Sequence, residues 1–163
     1  MNYKRVYADG HSYFLTLVTY RRKPNLTTHI DLLRKAFRAS KRRYRYTIEA
    51  IIVLPDHLHM IITPEYAIEY PNIVRYIKRY FVHGLPDKVR QDAKLHLTSS
   101  QYRRKHSGIW QSRYYEYTIR NEKDMQEKMQ YIRNNPIKHG HVNDYCEWKY
   151  HHFPIRHKQT SHP

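Results

Sequence analysis

The chain has 163 residues, enough for one domain with a real hydrophobic core. Its 30 Lys and Arg against 14 Asp and Glu give a net charge of +16, which points to a polyanionic partner and leaves the fold open. The single cysteine, Cys146, excludes a disulfide framework or cysteine metal site; with no signal-peptide region or membrane-length apolar run, a soluble cytoplasmic protein is expected.

Residues 12–20, rich in β-branched and aromatic types, predict a strand closed by Arg21-Arg22-Lys23-Pro24. Thr27 or Thr28 can cap a helix running to about residue 44, with Ile30, Leu33, Phe37 and Ser40 on one stripe. Between Asp31 and Glu49 there is no acid but seven cations: Arg34, Lys35, Arg38, Lys41, Arg42, Arg43 and Arg45. A run this one-sided suits phosphate, the plainer alternative being a solvated helix face. Residues 46–54 and 57–63 predict two more strands about a tight Pro55-Asp56 turn. Pro71 opens a helix over about 71–83, with Ile73, Ile77 and Tyr80 on one side and Arg75, Lys78 and Arg79 elsewhere. Tyr76 and Tyr80 form a competing i, i+4 pair there, but no carboxylate or amide accompanies them toward a metal.

Residues 84–108 read as an irregular, basic, mobile connection carrying Tyr102-Arg103-Arg104-Lys105-His106. Residues 109–119 read as a strand, at least in part, and Asn121 caps a helix over about 122–134 that Pro136 stops. Residues 143–163 form a polar, His-rich tail with Trp148 and Phe153 as candidate anchors. The order β-α-β-β-α-β-α predicts an α+β fold: a small two-layer sandwich, its mostly antiparallel sheet of four or five strands carrying helices.

Within the strand 57–63, His57 and His59 leave the same face while Leu58 points to the core. Two imidazoles so placed can hold a divalent metal. With 13 histidines about one such pair arises by chance, and His139-Gly140-His141 is a second, in a turn context. Spacing alone leaves His57 and His59 equally open to a ligand role and to a plain polar-face role. On the last helix Met125, Met129 and Ile132 form the apolar stripe, and Tyr131 falls more than a right angle away from its middle. Asn135 lies four residues on, beside Tyr131, and Asp124, Glu127 and Lys128 share that side.

Four motifs occur in order: Tyr13-Phe14-Leu15-Thr16; Val53-Leu54-Pro55-Asp56-His57-Leu58-His59; Ile109-Trp110-Gln111-Ser112-Arg113-Tyr114-Tyr115-Glu116; and Tyr131-Ile132-Arg133-Asn134-Asn135-Pro136-Ile137-Lys138-His139-Gly140. In them the chain resembles the HUH single-tyrosine transposases, and within these the REP-associated tyrosine transposases of bacteria. The resemblance covers residues 1–142, leaving 143–163 as a separate tail, and implies a ferredoxin-like HUH domain.

It implies Tyr131 as nucleophile and His57, His59 and Asn135 as ligands of Mg²⁺ or Mn²⁺. A tyrosine hydroxyl is a weak nucleophile until its proton is drawn off. Its attack on a phosphodiester would leave a 5′-phosphotyrosine and a free 3′-hydroxyl, so the strand could be rejoined without a nucleotide cofactor. Asp124, Glu127 and Lys128 become accessory candidates. Arg34, Arg38, Lys41, Arg42, Arg43, Arg103, Arg104, Lys105, Trp110, Arg113 and Tyr114 become candidate contacts to single-stranded or hairpin DNA, cations on phosphates and rings on bases. The implied substrate is a REP-like palindromic hairpin, and the implied protein a bacterial, nucleoid-associated monomer or homodimer with no membrane partner. The competing reading from another class is a non-catalytic, domesticated hairpin or single-strand binder whose histidines are structural. A relaxase or replication initiator would share the chemistry but usually needs a longer chain.

Overall fold

The computed structural model describes residues 5–153. The β-branched and aromatic runs form β1 (Ser12–Val18), β2 (Tyr46–Val53) and β3 (His57–Pro64), as expected. With β4 (Tyr115–Ile119) and β5 (His151–His152) they make an antiparallel sheet in the order β4-β1-β3-β2-β5. The histidine strand is therefore the central one. Its register with β1 sets Thr16 opposite His59 and Val18 opposite His57.

Alternation along the strands sorts the side chains. Leu58, Met60 and Ile62 join Tyr13, Leu15 and Leu17 on one face, under α2 (Ile30–Arg43) and α3 (Tyr70–Gly84). Those helices bury Leu33, Ala36, Ile73, Ile77 and Phe81 against them. Each of the larger side chains among these, removed from water, contributes roughly 1.5–3 kcal/mol. On the opposite face, Phe14, Ile52 and Ile61 meet Ile132 of α6 (Glu122–Lys138), with Met125 and Met129 packed alongside. The α+β sheet with packed helices is the expected one, and α6 adds a layer on the far face beyond the two-layer arrangement. Coverage on both sides explains why β3 is buried at nearly every position.

Five expectations change. The helix foreseen from residue 27 breaks at His29 (φ −116°, ψ 41°), giving a short α1 (Asn25–Thr28) before α2. The stretch 84–108 is not irregular: it holds α4 (Asp87–Lys94) and α5 (Ser99–Arg103), the latter opened by a capping box between Thr98 and Gln101. Val89 and Ala93 of α4 pack on the core, and Gly108, at φ +73°, lies so close to the Ala93 carbonyl that a Cβ would stand 2.6 Å from its oxygen. Strand β4 begins only at Tyr115, because Ile109 and Trp110 turn inward into the core.

Helix α6 runs through Pro136 to Lys138. The proline removes only its own donor, and the turn after it is closed by two other bonds. His141 N–H donates to the Pro136 carbonyl and Gly140 N–H to that of Ile137, both at 2.9 Å, with Gly140 at φ +73°. That is the Schellman termination, and His139-Gly140-His141 is its sequence. Part of the segment foreseen as tail is tied to the sheet: β5 pairs with β2, and Trp148 Nε1 donates to the Val53 carbonyl at 2.9 Å. The remainder of that tail, 154–163, lies outside the described residues. Among the described residues no helix is long and apolar enough to cross a membrane.

Candidate active site

His57 opens β3 directly after the Pro55-Asp56 turn, and that turn is tied down on three sides. Leu54 N–H donates to the His57 carbonyl, Thr19 N–H to that of Asp56 and Leu26 N–H to that of Pro55, at 2.8, 2.9 and 3.0 Å. The Asp56 carboxylate lies 2.7 Å from His57 Nδ1, with Arg22 3.6 Å away on its other oxygen. A carboxylate only accepts, so Nδ1 carries the proton and Nε2 keeps its lone pair. That lone pair faces Asn135 Oδ1 at 3.1 Å. Two acceptors at this distance are complementary to a cation between them and not to each other; without one, the amide turns over to donate.

His59, two residues on, is 4% exposed, and its Nδ1 lies 2.7 Å from the Thr16 hydroxyl across the β1–β3 pair. Among the described residues its buried Nε2 makes no hydrogen bond of normal geometry, with the Asn135 amide beside it, an arrangement that costs stability unless something binds there. Burial, followed by the neighbouring His57 and His139, pushes the His59 pKa down to about 3, so the ring is neutral at physiological pH. The donor set is thus two imidazoles, that of His59 held neutral by burial, and an amide oxygen, which fits a divalent metal with positions left for phosphate and water. Because the third donor is an amide, no cluster of three His, Cys, Asp or Glu side chains is assembled among the described residues.

Asn135 is 1% exposed because α6 lies flat on this face of the sheet. One turn earlier Tyr131 stands at the rim, 43% exposed, with its ring edge-on to His59 at 5.2 Å and to Phe14 at 5.7 Å. No hydrogen bond engages its hydroxyl among the described residues, so the oxygen is available to a substrate. One turn past Asn135, His139 brings its ring to 5.1 Å from that of His57. Burial, and after it the neighbouring His57 ring, lower its pKa as well.

The IS200-like transposase family model matches residues 8–135. The chain belongs to the IS200-like transposase family. The REP-associated tyrosine transposase of Escherichia coli (strain K12) is 35% identical over 150 residues, spanning 91% of this chain and 79% of its own. A Haemophilus influenzae protein (strain ATCC 51907 / DSM 11121 / KW20 / Rd), provisionally given the same name, is 38% identical over 151 residues, or 91% and 83% of the two chains. A solved REP-associated tyrosine transposase bound to a REP hairpin superposes with a TM-score of 0.73 and 32% identity, over 93% of this chain and 81% of that one. These matches set the transposase on the REP-associated branch.

The transposase brings together His57, His59, Asn135 and Tyr131, and separates them from several other candidates. Asp124, 8% exposed, accepts from Arg120 Nε, Arg120 N–H and Tyr117 Oη at 3.0–3.1 Å. The Arg120 hydrogen bonds hold its carboxyl below the usual range. Asp124 is therefore spent on anchoring the start of α6, two turns from Tyr131, and is not an accessory ligand. Glu127 is exposed beside Lys123, 4.0 Å away, one turn before the nucleophile candidate. Lys128 lies over the rings of Tyr117 and Phe14 at 4.4 and 5.0 Å, next to the ring that backs Tyr131.

Among the expected DNA contacts, Arg34, Arg38, Lys41, Arg42 and Arg43 are exposed, but α2 carries them on the sheet face opposite Tyr131. Arg34 is paired with Asp31 at 3.0 Å. Arg103, Arg104, Lys105 and Arg113 are exposed along α5 and the segment after it. Two aromatic candidates are corrected. Trp110 is only 7% exposed, packs on Phe81 and donates Nε1–H to the Lys78 carbonyl, so it cannot stack on a base. Tyr114 packs against the same core with Arg5 and Lys78 over its ring. Sequence reasoning missed Thr16, Asp56 and His139. Asp56 precedes His57 directly and His139 continues the four-residue spacing of Tyr131 and Asn135, so both left a signal; Thr16 stands in the first motif, but its place opposite His59 is set by strand register, which the sequence does not show.

Proposed function

We propose that this transposase is a metal-dependent single-strand DNA transesterase: it binds REP-like hairpin DNA and cuts and rejoins one strand through Tyr131. The observation that carries the proposal is the seating of the Tyr131 ring 5.2 Å from His59, one turn before an Asn135 that faces His57. The hairpin substrate is carried over from the solved relative.

His57, His59 and Asn135 would hold Mg²⁺ or Mn²⁺. A bound divalent ion supplies Lewis-acid polarisation of the scissile phosphate and offsets charge in the transition state. Asp56 and Thr16 act through the imidazoles, fixing their orientation. Phe14 and His59 hold the Tyr131 ring at the rim, which limits its hydroxyl to one approach direction. The phenol loses its proton as Oη bonds to phosphorus; the P–O3′ bond breaks, and the departing oxygen takes up a proton to become a 3′-hydroxyl. Reversal by a 3′-hydroxyl rejoins a strand and frees the tyrosine.

The experiment compares wild type with Tyr131→Phe on hairpin-bearing single strands with Mn²⁺ or Mg²⁺. Cleavage should vanish in the variant while hairpin affinity stays within about twofold. Nicking by Tyr131→Phe would refute the nucleophile. Absence of cleavage by wild type on every hairpin, with binding intact, would favour the non-catalytic binder.

A further inference from the structure

Tyr76 and Tyr80 take no part in the site around His57. Their rings stack at a centroid separation of 6.3 Å and 28° between planes, and Tyr44 meets Tyr76 edge-on at 6.1 Å. With Lys35, Arg75 and Arg79 they line an open groove of about 890 Å³ between α2 and α3. These helices cover the sheet face opposite α6, so the groove and Tyr131 are on opposite sides of the sheet.

Core packing does not account for the groove. The apolar stripe of α3 is complete without the tyrosines, since Ile73, Val74, Ile77 and Phe81 already seal it. Tyr80 is 36% exposed. No acid lines the groove, and among the described residues no ion pair or hydrogen bond engages the side chains of Lys35, Arg75 and Arg79 or the three tyrosine hydroxyls. Cations gathered without a counter-charge repel one another until an anion arrives. Cations beside upright aromatic rings match a strand whose phosphates follow the charge and whose bases stack on the rings, and only unpaired bases offer those faces.

We propose that the α2–α3 groove is a second binding site, for an unpaired DNA strand distinct from the segment cut at Tyr131. The groove can bind whether or not Tyr131 does chemistry, so the two readings stand or fall separately. The probe is a fluorescent oligothymidylate, which forms no hairpin, titrated into the full chain by anisotropy. Tyr76→Ala/Tyr80→Ala should bind it at least about tenfold more weakly than wild type, given the usual strength of base–aromatic stacking. Tyr76→Phe/Tyr80→Phe, which keeps the rings, should bind as wild type does. If the double alanine variant fails to fold, Arg75→Ala/Arg79→Ala on the surface reads the same site, with weaker binding and a shallower salt dependence. Photocrosslinking with iododeoxyuridine should map to residues 72–84. Wild-type affinity in both double alanine variants, or crosslinks confined to the neighbourhood of His57 and Tyr131, would overturn the proposal.

Discussion

His59 shows how a single residue links the site to stability. An imidazole in the unfolded chain titrates near 6.5, whereas burial holds His59 at about 3. Between those values the unfolded chain binds a proton that the folded chain refuses, so stability falls as pH drops through that window. The penalty is absent above about 6.5 and stops growing below about 3. In metal-free protein, His59→Gln should remove one proton from this dependence, about a tenfold change in the unfolding constant per pH unit. Urea unfolding of wild type and variant at about pH 7 and about pH 4.5 checks it; identical pH slopes would contradict a desolvated, neutral His59. The histidine pair itself was legible from strand alternation. What orders it was less so: Asp56 could be read from its adjacency to His57, whereas Thr16 arrives through a pairing between strands 43 residues apart.

At the scale of elements, α6 is the device that brings the Tyr131 and Asn135 side chains to the histidines. Its N-terminus is capped by Asn121, whose side chain accepts from Asp124 N–H, and its C-terminus depends on Gly140 at φ +73°. Replacing Gly140 by Ala meets no neighbouring atom, so its cost is purely conformational. Gly140→Ala should lose about 1–2 kcal/mol of stability, read from the denaturant midpoint. Because the same turn seats His139 and follows Asn135, cleavage should fall further than the unfolded fraction explains. A variant as stable as wild type would show that the Schellman turn does not hold the helix end. The sequence marked both ends of α6 but stopped it early at Pro136, since a proline's missing donor is local and the bonds that close the turn come from residues beyond it. The short helices α4 and α5 and the two-residue β5 escaped notice for a related reason: they fall short of the roughly 11–18 residues over which a hydrophobic period can be read, and contacts such as Trp148 on Val53 decide them.

For the whole molecule, the +16 net charge places exposed cations along α2, α3 and α5. Binding to any DNA strand should therefore weaken steeply with salt, log affinity falling with log salt at a slope of about −0.7 per phosphate neutralised. Anisotropy titrations across salt concentrations check this, and a flat dependence would show that the charge is not what holds the strand. Salt dependence does not distinguish a strand cutter from a binder, since both need the charge. Covalency does. A strand labelled at its 3′ end, incubated with Mn²⁺ and resolved under denaturing conditions, should transfer its label to wild-type protein. Proteolysis should then place the adduct on Tyr131, and Tyr131→Phe should carry none. An adduct on any other residue, or an unchanged yield from Tyr131→Phe, would contradict Tyr131 as the nucleophile of this transposase.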